Sequence, residues 1–393
     1  MEFDFLINSD KKRFVEIDAL RGFAIAAIFL YHSSVYFNFP STYVEYNDVL
    51  IRTDGIVRRF SYYFLFGKMF SIFAFLFGFT FYLQIGGGRR RVTHNSRRFA
   101  WRMVLLFAFG IVNSVFFPEG DILVLYSLIG FVMIPFRNLP TAALIIAAVI
   151  LILIPTQLYQ ILRLQYDPAY LLPIRNSELF KNDVREALAT GDLWKIAKAN
   201  VLSGVPAGLL WQFENGRIGQ AVALFILGIL AGRWKIFYNK KFDWRFWLKT
   251  TLAFVAAASV VFLLKKSILS SGTDTQLYLL TDGLFQLWLN FLTTWVIISL
   301  FILIYHLTRG RQLHPLTYLG KMSLTNYILQ SILGAFLFSP VGFGLGNTIG
   351  LTGSFFITCT ILVLMALFSR YWLKANKQGP LEKIWYKLTW LPK

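Results

Sequence analysis

Long apolar stretches recur along the whole chain and are separated by shorter polar segments. A helix needs about 20 predominantly apolar residues to cross a bilayer, and this pattern predicts about ten transmembrane helices. We therefore expect an all-α integral membrane protein in which the fourth and sixth spans are short. Residues 201–213 are an alternative membrane segment, of the re-entrant or interfacial kind. The predicted spans lie at approximately 17–38, 62–84, 99–117, 121–136, 139–162, 217–232, 247–264, 281–305, 315–338 and 349–373.

The spans divide the chain into two transmembrane halves and a polar segment between them. The middle segment mixes acidic and basic residues and contains Pro168 and Pro173, which predicts a partly helical lid or a linker. The segment after Arg370 places aromatic residues among lysines, as expected of an amphipathic helix at the cytoplasmic membrane interface. The three parts are residues 1–162, 163–200 and 201–393.

The composition supports a membrane protein. Hydrophobic residues make up 56% of the chain and charged residues 15%, whereas a soluble domain carries about 25% charged residues. The formal charge of +19 would suggest nucleic-acid binding in a soluble protein, but in a polytopic one it is expected from basic cytoplasmic loops. With both termini inside, 25 of the 39 Lys and Arg residues lie on the cytoplasmic side. We therefore expect the bilayer, and no nucleic acid, as a partner.

The first apolar run and the cysteine content exclude several alternatives. The first apolar run lacks a small-residue cleavage site, so we expect it to remain as a helix. Cys359 is the only cysteine and lies in an apolar run, so an intramolecular disulfide and a cysteine metal cluster are excluded. The histidines also lack metal-ligand spacing with carboxylates, and we expect no metal.

The first span contains the most polar chemistry of any apolar run. At about 100° per residue, Asp18, Arg21 and His32 fall on one helical face, which extends about 16 Å from Arg21 to His32. Ionisable residues in membrane helices usually face a cavity, which predicts a functional face here. The alternative is that Asp18 and Arg21 form an ion pair at the start of the helix while His32 donates to a carbonyl of a neighbour.

Other polar residues interrupt or open later spans. Lys68 either faces a charged cavity or extends to the interface, and Asp121 is either a site residue or a favourable charge at a helix N-terminus. Arg217 opens the sixth span. Asn326 and Gln330 are four residues apart on one helical face, a spacing more typical of hydrogen bonds between membrane helices than of catalysis.

Six segments in the same order resemble the YeiB family of bacterial membrane proteins. They are IDALRGFAI, KMFSIFAFLFGFTF, GDILVLYSLIG, ALFILGILAGR, GKMSLTNYILQS and GPLEKIWYKLTW. The YeiB family is similar to the transmembrane acyltransferase superfamily, with heparan-glucosaminide N-acetyltransferase and the acyltransferase-three family as relatives. The resemblance implies a multi-pass protein of the bacterial inner membrane whose C-terminal half is a domain of unknown function.

The resemblance also implies an activity. This is transfer of an acyl group, acetyl above all, from cytoplasmic acyl-CoA to a small-molecule, glycan or lipid acceptor in or beyond the membrane. In the acyltransferase-three family the catalytic His follows the Arg of a Leu-Arg-Gly pattern by eleven residues, and Leu20-Arg21-Gly22 and His32 match this spacing. We expect His32 to be the general base.

The remaining expected roles follow from the same resemblance and from position. Asp18 and Asp121 are expected to orient groups at the catalytic centre. Residues expected to hold acyl-CoA as co-substrate are Arg21, Lys68, Arg97, Arg98, Arg102 and Arg217. Residues expected near the acceptor are Asn113, Asn326 and Gln330.

Two other functions remain open from the sequence. A transporter or flippase would use the same intramembrane charges as a substrate or proton path, although no clear inverted repeat is present. A catalytically inactive scaffold that binds a lipid or an antimicrobial compound is the third reading. A homodimer is compatible with all three.

Overall fold

The computed structural model of the chain describes residues 14–35, 48–85, 92–118, 120–167, 170–238, 242–270, 275–339 and 342–390. Within these ranges all regular secondary structure is helical. The α-helices are α1 (Val15–Val35), α2 (Asp48–Phe60), α3 (Lys68–Ile85), α4 (Val92–Ser114), α5 (Ile122–Phe136), α6 (Thr141–Ile152), α7 (Pro155–Tyr166), α8 (Asn176–Ala189), α9 (Leu193–Ala199), α10 (Val205–Glu214), α11 (Arg217–Arg233), α12 (Trp244–Leu269), α13 (Thr275–Leu307), α14 (His314–Lys321), α15 (Ser323–Phe338), α16 (Leu351–Ala375) and α17 (Pro380–Thr389).

Four helical segments in the described residues are long and apolar enough to cross a membrane. Two further pairs of helices pass the same test together but are bent at a short break, by 46° and 80°, which gives up to six spans. The four are Asp48–Ile85, Trp244–Leu269, Thr275–Leu307 and Leu351–Ala375, and the bent pairs are Thr141–Ile152 with Thr156–Tyr166 and Leu193–Glu214 with Arg217–Arg233. The all-helical membrane class is thus confirmed, while ten spans and cytoplasmic termini stay predictions.

Helix α1, the predicted first span, is not among these four segments. Its Asp18, Arg21 and His32 make it less apolar than a lipid-facing helix of the same length. The predicted end of this span, beyond Val35, lies outside the described residues. Much of α1 is buried in the protein, including Leu20, which is fully covered.

Two glycines allow α1 and α14 to pack with their backbones in contact. A Cβ atom on Gly22 would overlap the carbonyl oxygen of Leu316, and one on Gly320 would overlap the carbonyl oxygen of Asp18. Small residues at such a crossing permit the close approach that stabilises helix pairs in membranes. This contact holds the polar end of α1 in a fixed position.

A second close crossing joins α3 to α11 at the centre of the protein. A Cβ atom on Gly78 would overlap the carbonyl of Phe225, and one on Gly228 would overlap the carbonyl of Phe75. The phenyl rings of both helices fill the surrounding core, where Phe75 and Phe225 are almost completely buried. Helix α11 therefore brings its first residue, Arg217, to the same region as α3.

The segments outside the long helices are also ordered by specific contacts. The predicted lid or linker contains α8 and α9, and its Ser177 donates hydrogen bonds from N and Oγ to the carboxylate of Glu214 at the end of α10. The tail forms α17 as predicted. Its aromatic residues contact the protein, because Trp390 stacks on Arg98 of α4.

The Gly320→Ala variant tests the crossing of α1 and α14. The added methyl group meets a backbone carbonyl that no side-chain rotation can move, so we expect a loss of stability of about 1–3 kcal/mol. Gly283→Ala is the matched control, because nothing lies within 4 Å of a Cβ atom there. Thermal unfolding of both purified variants in detergent measures the difference; equal melting temperatures would contradict the proposed close contact.

Candidate active site

His32 lines a cavity of about 260 Å³ whose other lining residues come from both halves of the chain. The imidazole lies beside the ring of Phe117, with 4.6 Å between ring centroids. Asp121, Lys181 and Arg217 line the same space. We call it the His32 cavity. It brings together His32, predicted as the base, with Asp121 and Arg217, which were also predicted for the site.

Asp121 is held at the wall of this cavity by two hydrogen bonds. Its carboxylate caps α5 by accepting from the backbone N–H of Leu123, and it also accepts from the side-chain amide of Asn113. Asn113 is fully buried and Asp121 nearly so. Asp121 is therefore an N-cap residue, as one of the two sequence alternatives predicted. It also lines the cavity, as the predicted site role requires.

Arg217 and Lys68 are two buried cations next to the His32 cavity. The guanidinium of Arg217 lies 4.8 Å from the ring of Phe70 and 5.0 Å from that of Trp211. The ammonium of Lys68 donates to the carbonyl of Tyr62 over 3.4 Å. Aromatic faces and carbonyl oxygens stabilise cations in an apolar interior. The positive charge on this wall suits an anionic or strongly dipolar ligand.

Arg21 lines a second cavity, of about 210 Å³, at the other end of the same face of α1. Its guanidinium donates to Asp18 over 3.1 Å and to the hydroxyl of Thr80 over 3.4 Å. Arg102 also lines this space. We call it the Arg21 cavity. Asp18 lines neither cavity and forms an ion pair with Arg21.

The two cavities share a wall. Ile28, Ile122 and Tyr327 line both of them. Ile28 lies on α1 between Arg21 and His32, so one face of this helix forms a continuous side of both spaces. These three side chains form the partition between the cavities. A molecule that reaches from one cavity to the other must pass them.

A third cavity, of about 460 Å³, adjoins the His32 cavity on the side of α10 and α13. Phe66, Trp211 and Arg217 line both. Lys181 of α8 lines the His32 cavity and forms a 2.9 Å ion pair with Glu178. This hydrogen bond holds the pKa of the exposed Glu178 below its usual range. The segment 163–200, predicted as a lid or a linker, thus reaches the His32 cavity through Lys181.

The other residues predicted for the site lie in several places. Asn326 donates to the carbonyl of Leu319 and to Ser369, which links α15 to α14 and α16. Gln330 donates to the carbonyl of Ile25 on α1. These three bonds join helices, and neither Asn326 nor Gln330 lines the His32 cavity or the Arg21 cavity. Arg97 is exposed.

Several lining residues were not anticipated from the sequence. Tyr327 follows Asn326 directly and was hidden in an ordinary apolar helix pattern. Gln212 lines the His32 cavity, and its buried Oε1 has no hydrogen-bond partner among the described residues. Trp385 was assigned to a surface helix, yet it lines the Arg21 cavity. Only contacts between distant segments identify these three.

Metal chemistry has no candidate position in the part of the chain that the structure describes. No group of three or more His, Cys, Asp or Glu side chains there is placed to hold a metal ion. The ionisable side chains that line the two cavities carry imidazole, carboxylate, ammonium, guanidinium and phenol groups.

The Asn113→Leu variant tests how Asp121 is held. Leucine has a similar volume but cannot donate, so the buried carboxylate loses a bond, and we expect a stability loss of about 1–3 kcal/mol. Asn138→Leu is the control, because Asn138 is exposed. Thermal unfolding of the two variants gives the comparison. If Asn113→Leu and the control had equal melting temperatures, the Asn113–Asp121 hydrogen bond would contribute nothing to stability.

Comparison with known proteins separates the chain into two matched regions. A family model described as heparan-alpha-glucosaminide N-acetyltransferase, catalytic, matches residues 13–186. A second one, described as protein of unknown function (DUF418), matches residues 231–392. The first region contains His32, Arg21, Asp121 and Arg102, and the second contains Tyr327 and Trp385.

Relatives cover the chain almost from end to end. It is 25% identical to the uncharacterized protein YxaH of Bacillus subtilis (strain 168), over 95% of this chain and 94% of that protein. It is 26% identical to the uncharacterized protein YeiB of Escherichia coli (strain K12), over 96% of each. The predicted resemblance is thereby confirmed: the chain is similar to YeiB and YxaH, and it has an acetyltransferase-like N-terminal region and a C-terminal region of unknown function.

Proposed function

We propose that the protein is a membrane-bound acyltransferase that moves an acyl group, acetyl above all, from acyl-CoA to a hydroxyl or amine of an acceptor. The observation that carries this proposal is the pair of adjoining cavities along one face of α1. One has cations at Arg21 and Arg102, and the other has His32 and Asp121. The match of residues 13–186 to an acetyltransferase catalytic region supports it independently.

The donor enters from the cytoplasm at the Arg21 cavity. Arg102 is a suitable phosphate ligand, because its buried Nε has no hydrogen-bond partner among the described residues and guanidinium groups bind phosphate well. Arg98 has its guanidinium 3.7 Å from the centre of the Trp390 ring. It contributes charge from beside the cavity. The thioester end extends past Ile28 and Tyr327 toward His32.

The acceptor binds in the His32 cavity, from the membrane or from its outer side. Its oxygen or nitrogen attacks the thioester carbonyl and gives up a proton to His32. The new C–O or C–N bond forms as the C–S bond breaks, and the thiolate of CoA leaves and takes up the proton. Holding donor and acceptor in adjoining cavities supplies the advantage of proximity. Arg217 lies beside the acceptor, Lys68 adds charge from behind the cavity wall, and Asp121, held by Asn113, orients groups beside the base.

This function fits a multi-pass protein of the bacterial inner membrane. Both termini and the basic loops lie in the cytoplasm, where acyl-CoA is present, and α8 and α9 lie on the outer side. The basic residues support this orientation, because their excess marks the cytoplasmic face.

The His32→Ala variant tests the general base. We expect the rate of acyl-CoA consumption by the purified protein, with a pool of candidate acceptors, to fall about 100- to 10,000-fold. His314→Ala is the matched control, because His314 is an exposed histidine outside both cavities. Unchanged consumption by a folded His32→Ala protein would remove His32 from the mechanism.

The Ile28→Phe variant tests whether transfer passes between the two cavities. The larger ring narrows the shared partition and displaces the thioester, so we expect transfer to fall about 100-fold. Binding of CoA in the Arg21 cavity should persist, and it is measured as a rise in melting temperature. Ile146→Phe, on an exposed face of α6, is the control. Wild-type transfer by Ile28→Phe would contradict this path.

Transport is the rival function. Buried cations such as Lys68 and Arg217 also occur along substrate paths in transporters. Failure of both CoA and acetyl-CoA to raise the melting temperature of the wild-type protein would favour transport over acyl transfer.

A further inference from the structure

Helix α17, near the C-terminal end of the chain, packs over the first half of α4. The indole N–H of Trp101 donates to the carbonyl of Leu388 over 3.0 Å. The guanidinium of Arg98 lies 3.7 Å from the centre of the Trp390 ring. Helix α17 is thus attached to the basic start of α4, which belongs to the acetyltransferase-like region.

A carboxylate fixes the other end of α17 to the first turn of α15. Glu382 accepts from the backbone N–H of Leu324 over 2.7 Å and from the hydroxyl of Thr325 over 2.6 Å. These bonds satisfy groups that a helix N-terminus leaves without partners. Ser323 and Leu324 line the Arg21 cavity, so this attachment places α17 directly beside the cavity.

Between these two attachments, Trp385 of α17 meets Arg102 of α4. The guanidinium carbon lies 4.4 Å from the ring centre, and both residues line the Arg21 cavity. The Nε of Arg102 and the Nε1 of Trp385 are buried and have no hydrogen-bond partner among the described residues. Most buried polar groups in proteins have a partner. Two such donors on contacting side chains that line one cavity are suited to an anionic oxygen.

The charged groups around Arg102 and Trp385 add further positive charge. Arg21 and Arg98 add two further cations, of which Arg21 is paired with Asp18. The nearby carboxylate of Glu382 is already bonded to α15. An anion that approaches Arg102 therefore meets cations and N–H donors, with both neighbouring carboxylates engaged elsewhere.

We propose that α17 completes the donor site and that Trp385 and Arg102 together bind a phosphate group of acyl-CoA. This inference rests on the proposed acyl transfer. It gives the C-terminal region of unknown function a specific task, because α17 lies within residues 231–392. A chain without α17 keeps His32 and Arg21 but lacks one wall of the donor pocket. Trp385 is a binding residue and takes no part in the chemical step.

The test compares CoA with pantetheine, which has the same arm but no phosphate. Dissociation constants of both are measured on the full-length protein in detergent, for the wild type and for Trp385→Phe. Phenylalanine keeps an aromatic ring beside Arg102 and lacks the N–H. We expect Trp385→Phe to bind CoA about tenfold more weakly and to bind pantetheine like the wild type.

Two further variants make the outcome decisive. Arg102→Lys keeps the charge and lacks Nε, so it should show the same selective loss even if Trp385→Phe folds poorly. Lys387→Gln removes a charge from the exposed side of α17 and should bind both compounds normally. Equal affinity of Trp385→Phe and wild type for CoA, or an equal loss for CoA and pantetheine, would overturn the phosphate site. A wild-type protein that binds neither compound would instead refute acyl-CoA as the donor.

Discussion

Charged side chains in apolar helices must be kept away from lipid, and this constraint organises the protein. Asp18, Lys68 and Arg217 are all buried, and each lies where another polar or aromatic group can stabilise it. Such burial requires that the helices carrying these groups approach closely. Glycines at the α1–α14 and α3–α11 crossings provide that approach, because larger residues would meet backbone carbonyls.

The cavities follow from the same packing. Helix α1 is fixed by its contact with α14, and one of its faces lines both the Arg21 cavity and the His32 cavity. Helix α11 is fixed against α3, which brings Arg217 to the second of these spaces. Asp121 reaches it as the cap of a short helix that is tied to Asn113. Structural bonds thus hold the groups that the proposed reaction requires.

The two regions matched by different families are not separate units in space. Tyr327 and Trp385, from the region of unknown function, line cavities together with His32 or Arg102 from the acetyltransferase-like region. Both cavities therefore depend on the C-terminal region for part of their lining. The relatives in Bacillus subtilis and Escherichia coli match this chain over both regions, as expected if the two act together.

The sequence by itself determined the all-helical membrane class and the face of α1 shared by Arg21 and His32, because apolar length and helical periodicity are local properties. It also identified Arg21, Asp121, Arg217 and His32 as polar groups that need an explanation. Only the tertiary structure decided which helices Asn326 and Gln330 join. It also decided that Asp18 pairs with Arg21 outside both cavities and that Trp385 lines the Arg21 cavity. Those outcomes depend on which helices contact each other. Trp385 and Arg102, for example, are nearly 300 residues apart in the sequence, and no local pattern predicts their contact.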